Sequence, residues 1–156
     1  MILYNGTTGS LARYFAEAAA KTDSPVIALR SRLEDFDHFR SELEQLNGET
    51  AKLIHFAAKV SVPWCESHAE EARKTNVADT FETSRIFIET CRKKKIQPKI
   101  LYVSSAHLYA KNDGAIHETD PVLPRSVYAT TKLEAENALK SLAKATDTDL
   151  RIARVF

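Results

Sequence analysis

The chain has 156 residues, with 22 lysines and arginines against 21 aspartates and glutamates, for a formal net charge of +1. This length fits one domain with a buried core, and the balanced charge gives no reason to expect nucleic acid or a membrane surface as a partner. No basic-then-apolar leader precedes the first apolar segment, and no apolar run reaches membrane length. Cys65 and Cys91 lack metal-site spacing and are interpreted as buried thiols of a reducing compartment. We therefore expect a soluble cytoplasmic protein.

Apolar segments alternate with segments of helical spacing along the whole chain. Short apolar runs predict strands, and apolar residues three and four apart predict helices. The predicted strands are 1–4, 26–29, 52–58, 99–104 and 150–156. The predicted helices are 11–20, 35–46, 66–95 (one long helix or two) and 127–144, with a polar loop over 112–125. This alternation predicts an α/β fold, a doubly wound parallel sheet of the Rossmann type in three αβα layers.

The last predicted strand, 150–156, is also the end of the sequence. A natural domain rarely ends on a core strand without a further element. We therefore interpret residues 1–156 as one domain and expect the chain to be a fragment or a shortened gene product.

A glycine turn, Gly6-Thr7-Thr8-Gly9, follows the first strand and opens the first helix. The backbone N–H groups of such a turn can approach a pyrophosphate, and the helix N-terminus adds a favourable partial charge. Ala12 takes the place of the third small residue of the pattern and still permits close packing of helix on strand. The motif predicts a dinucleotide-binding turn, and an ordinary strand-to-helix turn is the alternative.

Arg30 and Arg32 follow the second strand, at the position where NAD sites usually carry an acidic residue for the ribose hydroxyls. A guanidinium group at this position suits a 2′-phosphate instead. We therefore predict NADP as the cofactor, with NAD as the alternative. The competing interpretation is that both arginines are solvated surface charges.

Tyr128 and Lys132 lie four residues apart on the predicted last helix and therefore share one face of it. An ammonium group beside a phenol favours the ionised phenol and lowers its pKa. The pair is then able to act as an acid or a base near neutral pH, which an ordinary tyrosine is not. A tyrosine packed on the core beside a solvated lysine is the alternative.

Taken in order, these segments resemble the extended short-chain dehydrogenase/reductase family, which comprises nucleotide-sugar epimerases, dehydratases and reductases. The resemblance covers essentially the whole chain. The short stretch between Arg30 and Asp35 is similar to that of members of the GDP-fucose synthetase and dTDP-4-dehydrorhamnose reductase types. The further matching segments are Leu53-Ile54-His55-Phe56-Ala57-Ala58, Asn76-Val77, Val103-Ser104-Ser105-Ala106-His107-Leu108-Tyr109, Glu118-Thr119-Asp120-Pro121, Pro124-Arg125-Ser126-Val127-Tyr128 and Arg154-Val155-Phe156.

The resemblance implies a catalytic set for hydride transfer between the nicotinamide and a sugar carbon. Tyr128 would transfer the proton, and Lys132 would lower the pKa of Tyr128 and bind the nicotinamide ribose. Ser105 would hydrogen-bond the same substrate oxygen, with Ser104 as the competing candidate. His107 would contact the substrate, or else only fill its loop.

The resemblance also implies the residues that contact the cofactor. Ala57 and Ala58 would pass under the adenosine and the ribose. Asn76 would contact the cofactor loop, or else serve as a polar group at a helix end. The full set is Gly6, Thr8, Gly9, Ser10, Leu11, Arg30, Arg32, Ala57, Ala58, Asn76, Tyr128, Lys132 and Phe156.

Three other residues are assigned around this site. His55, inside an apolar strand, is interpreted as a satisfied core histidine, and Trp64 and Cys65 are assigned to the substrate side.

The resemblance further implies a nucleotide-sugar substrate and a homodimer formed by the helices 66–95 and 127–144. Family members continue well beyond 156 residues, and the part absent from this chain normally supplies much of the sugar pocket. A non-catalytic NAD(P)-binding or scaffold protein is therefore the alternative function.

Overall fold

The computed structural model describes residues 1–23, 25–110 and 114–156. Its strands are β1 (Ile2–Tyr4), β2 (Val26–Ala28), β3 (Thr50–His55), β4 (Gln97–Ser105) and β5 (Asp149–Val155). Its α-helices are α1 (Ser10–Ala19), α2 (Phe36–Glu42), α3 (Val62–Ser67), α4 (Ala69–Arg73), α5 (Thr80–Lys93) and α6 (Val127–Ala145). The short helical turns are Leu43–Gln45 and Ala106–Leu108 (3₁₀) and Lys74–Asp79 (π).

The five strands form one sheet in the order β2-β1-β3-β4-β5, and every neighbouring pair is parallel. Leu3 of β1 is in register with Ile27 on one side and with Leu53 on the other. Parallel neighbours require crossover connections, and the helices supply them. The predicted α/β class is confirmed.

Helices pack on both faces of the sheet. On one face, residues of α2 and α5 bury a core with the central strands, including Phe39, Phe87, Leu3, Leu53 and Ile100. On the other face, fully buried Ala12 of α1 packs with Tyr4 and Ile54, which brings the helix close to the strands. The three layers expected from the alternating sequence are therefore present.

Strand β3 ends at His55, three residues before the predicted end at Ala58. The reason is the side chain of Asn5, whose Oδ1 accepts hydrogen bonds from the N–H groups of Phe56 (2.9 Å) and Ala57 (3.0 Å). Since these N–H groups bond to a side chain rather than to a neighbouring strand, the chain leaves the sheet here.

The predicted helix 66–95 is divided into several helical segments. It begins earlier than expected, at Val62, because Ser61 caps the N–H of Trp64 (3.4 Å) and Pro63 suits a first turn. It breaks at His68, whose backbone is not helical (φ −135°, ψ 53°). The predicted polar loop over 112–125 begins at Asn112 and Asp113, which lie outside the described residues.

The chain that follows returns beside the end of β4. Tyr109 and Val122 form an antiparallel bridge, and the N–H of Leu123 donates to the carbonyl of Leu108 at 2.8 Å. Backbone pairing therefore orders part of the segment that was predicted to be a loop.

The apolar residues of α5 face the sheet rather than solvent. Ile86, Phe87 and Ile88 are buried, and the outer side of α5 carries Arg85 paired with Glu82 and Glu89. The large apolar side chains exposed in the described residues are Leu11, Tyr14, Val60, Leu123 and Phe156, none of which lies on α5 or α6. In the described residues, α5 and α6 therefore offer no large exposed apolar side chain to the predicted dimer. In the described part of the chain, no helix has the length and apolarity needed to cross a bilayer.

Candidate active site and cofactor cleft

The glycine turn between β1 and α1 requires glycine at its first position. Gly6 has φ +66°, and a Cβ built there would lie 2.7 Å from the backbone nitrogen of Ala57. Gly9 closes the turn by donating its N–H to the carbonyl of Gly6 at 2.9 Å. Gly9 is also the N-cap of α1, and no side chain caps this helix end. Uncapped N–H groups with a positive partial charge form an anion-binding position.

A cleft of about 510 Å³ opens from this turn along the carboxyl edge of the sheet. Residues 6–9, 29–34 and 56–60, together with Thr75, line it. Arg30, Arg32, Ala57 and Ala58 from the predicted cofactor set are therefore brought together with Gly6 and Gly9. Thr8 lines the same cleft, and Ser10 and Leu11 follow it as the exposed first residues of α1.

Arg30 and Arg32 are both exposed on this cleft. Neither guanidinium group takes part in an ion pair or a side-chain hydrogen bond among the described residues. Two unpaired cations at the end of β2 leave this side of the cleft available to an anionic ligand.

Loop 56–59 forms the opposite wall and is held by buried amide side chains. Besides accepting from Phe56 and Ala57, Asn5 contacts Nδ1 of His55 through its Nδ2 at 3.0 Å. Asn76 accepts from the N–H of Lys59 (2.7 Å), and its Nδ2 donates to the carbonyl of Lys59 and to Oγ1 of Thr131, both at 3.0 Å. Sequence reasoning missed Asn5, whose partners lie 50–52 residues away.

Asn76 is buried, at 1% exposure, in the π turn rather than at a helix end. Its amide contacts the loop that lines the cleft, but it does not itself line the cleft. Asn76 therefore lies behind the loop that forms one wall of the cleft.

His55 is fully buried and its ring nitrogens have partners. Since Oδ1 of Asn5 accepts two N–H groups, its Nδ2 is the donor to Nδ1 of His55, so Nε2 carries the proton. Nε2 then donates toward the carbonyl of Ala57 (3.1 Å) and Oγ1 of Thr80 (3.2 Å). Burial, with the nearby charge of Lys132, lowers the pKa of His55 to about 3. The interpretation as a satisfied core histidine is confirmed, and the lowered pKa leaves the ring neutral.

Tyr128 lies in the first turn of α6, which Ser126 caps by accepting from the N–H of Ala129 at 3.1 Å. Its ring packs with Cys65 and Ala72 and meets the ring of His107 edge to face, with centroids 6.1 Å apart. The side chain of Ser105, at the end of β4, lies near the phenol, and its Oγ accepts the N–H of His107 at 3.2 Å. The structure thus brings Ser105, His107 and Tyr128 together.

Ser104, the competing candidate, is buried and lies near the carboxylate of Glu136 rather than near the phenol. Successive residues of a strand point to opposite sides, which separates the two serines.

The expected effect of Lys132 on the phenol is not found. The pKa of Tyr128 is raised, because burial outweighs the opposing effect of the nearby Ser105 side chain. Lys132 shares the buried face of α6, but its ammonium turns toward β4, where it donates to the carbonyl of Val103 at 2.7 Å and lies 4.2 Å from the ring centre of Tyr102. Burial lowers the pKa of Lys132 itself to about 7.

A buried ion pair lies behind the catalytic candidates. Glu136 has no exposed surface and receives two hydrogen bonds from Arg154 of β5, at 2.9 and 2.7 Å. Burial is the largest single influence and would raise the pKa of Glu136, but the hydrogen bonds and charge of Arg154, together with Ser104 and the charge of Lys140, lower the pKa overall. Sequence reasoning missed this pair, although Glu136 lies four residues after Lys132 on the same face of α6.

Some predicted site residues lie elsewhere. Phe156 is 91% exposed and lines a separate hollow beside Tyr109, Glu136 and Arg154, so the structure does not bring it to the cleft of Gly6 and Gly9. Trp64 stacks on His68 with ring centroids 4.5 Å apart, while Cys65 is buried against Tyr128.

The position of the cleft follows from the topology. The chain runs from β1 outward to β2 and then returns to β3 on the other side of β1, so the strand order reverses at β1. Parallel sheets open a ligand crevice at the carboxyl ends of the strands at such a point. The fold and the cleft therefore define a Rossmann-like α/β domain. All 156 residues match the family model described as RmlD substrate binding domain, and the chain belongs to that family.

Among curated proteins, the chain is 27% identical to D-erythronate dehydrogenase of Cupriavidus necator, over 72% of this chain and 33% of that protein. Three solved structures have similar folds. RMD from Pseudomonas aeruginosa complexed with NADPH matches with a TM-score of 0.74 and 23% identity, over 98% of this chain and 52% of that chain. The UDP-Glc/GlcNAc 4-epimerase from Campylobacter jejuni matches with a TM-score of 0.81 and 22% identity, over 99% of this chain and 53% of that chain. A dTDP-4-dehydrorhamnose reductase from Clostridium acetobutylicum matches with a TM-score of 0.75 and 24% identity, over 98% of this chain and 52% of that chain.

At these identities the likeness to the solved structures shows the fold. The chain spans about half the length of these solved chains and a third of the curated relative.

Proposed function

We propose that this chain is the cofactor-binding part of an NADP-dependent oxidoreductase or epimerase that acts on a nucleotide sugar by hydride transfer. The observation that carries the proposal is the arrangement of Tyr128 and Ser105 on the carboxyl edge of the sheet that also forms the glycine-turn cleft. The names of the similar proteins, which include a nucleotide-sugar epimerase, a nucleotide-sugar reductase and an NADPH complex, support it.

The cleft has the features that a dinucleotide needs. The turn from Gly6 to Gly9 and the uncapped start of α1 would hold the pyrophosphate. Arg30 and Arg32 would hold the 2′-phosphate, and Ala57 and Ala58 would lie along the adenosine and ribose. NAD is the alternative cofactor if the arginines are only solvated. When bound, the nicotinamide supplies or accepts the hydride.

The chain's own side chains would handle the proton. Because its pKa is raised, the phenol of Tyr128 holds its proton at neutral pH and is suited to give that proton to a sugar carbonyl oxygen. Ser105 would hydrogen-bond the same oxygen, and exposed His107 would contact the sugar at this rim. Lys132 would bind the nicotinamide ribose.

A second candidate is a non-catalytic NAD(P)-binding or scaffold protein. The observation in its favour is that the chain spans about half the length of the similar solved chains. A domain limited to residues 1–156 would bind cofactor without a complete sugar pocket.

The test is a titration of cofactor fluorescence with NADPH and NADH, run beside turnover assays on a panel of nucleotide sugars. We expect tighter binding of NADPH, and sugar turnover in a form that includes the remaining length of the family. Equal affinity for both cofactors would reject NADP. NADPH binding without turnover in the longer form would favour the scaffold candidate.

The cytoplasmic location and the homodimer stay predictions. A dimer through α5 and α6 would have to form on charged surfaces, since Arg85 is paired with Glu82 and Glu89, and Arg73 of α4 with Glu134 of α6. Light scattering across micromolar concentrations measures the mass. A dimer whose mass halves in high salt would fit this surface, whereas a monomer at every concentration would reject it.

A further inference from the structure

Glu42 connects the end of α2 to the segment that carries the two arginines of the cleft. It is the last residue of α2, and its carboxylate reaches back to the chain that leaves β2. Oε1 accepts the N–H of Arg30 at 2.5 Å, and Oε2 accepts the N–H of Ser31 at 3.1 Å. One carboxylate thus binds two successive backbone N–H groups.

The helix itself does not favour a carboxylate at this position. The C-terminal end of a helix carries a negative partial charge, which repels an anion. Among the described residues, no ion pair involves Glu42. The two N–H groups of the β2 segment are therefore the interaction that holds this side chain.

The backbone in turn depends on Glu42. The N–H of Leu29 makes the last sheet hydrogen bond of this segment, to the carbonyl of Tyr4 at 2.9 Å. The next two N–H groups, of Arg30 and Ser31, have left the sheet, and the carboxylate of Glu42 is the acceptor that they find. The turn then closes with the N–H of Asp35 donating to the carbonyl of Arg32 at 3.0 Å.

The fixed backbone determines the positions from which the side chains of Arg30 and Arg32 extend. Leu29 is buried at 1% exposure on the core side, whereas Arg30 and Arg32 are exposed and line the cleft. Without the two hydrogen bonds to Glu42, the segment from Arg30 to Arg32 would be held by buried Leu29 at one end and by the turn at Asp35 at the other.

We propose that Glu42 is a specificity-determining positioning residue, which fixes the segment after β2 so that Arg30 and Arg32 together receive the 2′-phosphate of NADP(H). The inference rests on the proposed function, because it deepens the role of the same cleft. Charge-assisted hydrogen bonds to two adjacent N–H groups are strong enough to order an exposed segment.

The experiment compares Glu42→Ala and Glu42→Gln with the unmodified chain, with Glu44→Ala as the control, since Glu44 is an exposed carboxylate two residues further on. The probes are adenosine 2′,5′-bisphosphate and adenosine 5′-monophosphate, titrated calorimetrically. They report on the adenosine end alone, without the nicotinamide.

We expect Glu42→Ala to lose about tenfold of the preference for the bisphosphate, the size of one charge-assisted contact. Affinity for the monophosphate should stay within about twofold, because the glycine turn is untouched. Glu42→Gln keeps an acceptor oxygen and should retain part of the preference. An unchanged preference for the bisphosphate in Glu42→Ala would overturn the proposal. A gain in bisphosphate affinity in either variant would also overturn it, because the carboxylate would then only repel the phosphate.

Hydrogen exchange of the ligand-free protein separates this proposal from the proposed function. In Glu42→Ala, the amides of Arg30 and Ser31 should exchange faster while that of Leu29 does not change. Unchanged exchange of these two amides would overturn the positioning role of Glu42, even if the chain binds NADP. If Glu42→Ala exchanges faster but the unmodified chain binds neither nucleotide, the two hydrogen bonds of Glu42 are real. The proposed function, and with it the specificity role of Glu42, is then rejected.

Discussion

The proposed catalytic edge at β4 and α6 and the proposed cofactor edge at β1 and β2 differ in how their charged side chains are paired. At the catalytic edge, Lys132 is bonded to a backbone carbonyl and Glu136 to Arg154, and both side chains are buried. At the cofactor edge, Arg30 and Arg32 are exposed and without ion-pair partners in the described part of the chain. Buried charges that have partners affect pKa values and stability, whereas exposed charges without ion-pair partners are available to a ligand.

The largest expected effect is on turnover and concerns the catalytic edge. In a form that includes the remaining length of the family, Tyr128→Phe removes only the oxygen proposed to transfer the proton, so turnover of nucleotide sugars should fall by about 10²–10⁴-fold. Cofactor binding, measured by fluorescence, should change little, because the ring and its packing against Cys65 remain. Tyr14→Phe, at a tyrosine that is 69% exposed, is the control. Full activity in Tyr128→Phe would remove the catalytic assignment.

The second effect is on stability and uses two arginine–glutamate pairs of α6. Glu136→Ala leaves Arg154 without its buried partner and should lower the free energy of unfolding by about 3–5 kcal/mol. Glu134→Ala breaks the pair with Arg73, which solvent screens, and should change the free energy of unfolding little. Urea denaturation of both variants measures the difference. Equal losses would mean that burial of the pair does not govern its contribution.

The third effect is on specificity and concerns the cofactor edge. Arg30→Ala should remove about 1.5–3 kcal/mol of the preference for NADPH over NADH, since it deletes a charge-assisted contact to the 2′-phosphate. Its stability should be close to that of the unmodified chain, because the side chain is exposed. Arg40→Ala, at an exposed arginine on α2 outside the cleft, is the matched control. A preference that survives in Arg30→Ala would assign the 2′-phosphate to other groups.

The most gradual effect is a dependence of stability on pH that comes from Lys132 and is spread over several pH units. Its pKa is about 7 in the folded chain against an ordinary 10.5, so between these values the unfolded chain holds the proton and the folded chain does not. Raising the pH through this window therefore stabilises the folded state, by up to about 1.4 kcal/mol per pH unit. Lys132→Met should lack this gain, and its stability relative to the unmodified chain should be greatest below pH 7. Parallel stability curves from pH 6 to 9.5 would contradict the lowered pKa.

Local patterns predicted most of the architecture. Apolar runs located the five strands, and the glycine turn was recognised because its spacing is confined to residues 6–12. Strand β3 was drawn too long, since the side chain that ends it, Asn5, is 51 residues from Phe56. The start of α3 was missed although Ser61 and Pro63 carried a local signal for it.

The sequence predicted where candidate residues lie along the chain better than it predicted the contacts that they make. The helical spacing correctly placed Tyr128 and Lys132 on one buried face, but it did not show that the ammonium would bind the carbonyl of Val103. Similarly, Arg30 was selected from its position after β2, whereas the contact that holds its backbone comes from Glu42, on a different element.

The sequence by itself determined the alternation of strands and helices and the turn that only glycine permits at position 6. These depend on backbone sterics and on periodicity, which act over a few residues. The tertiary structure alone decided the raised pKa of Tyr128, the lowered pKa of Lys132, the buried pair of Glu136 and Arg154, and the position of Phe156 outside the cleft. Burial and long-range pairing set these properties, and both arise only when distant segments pack together.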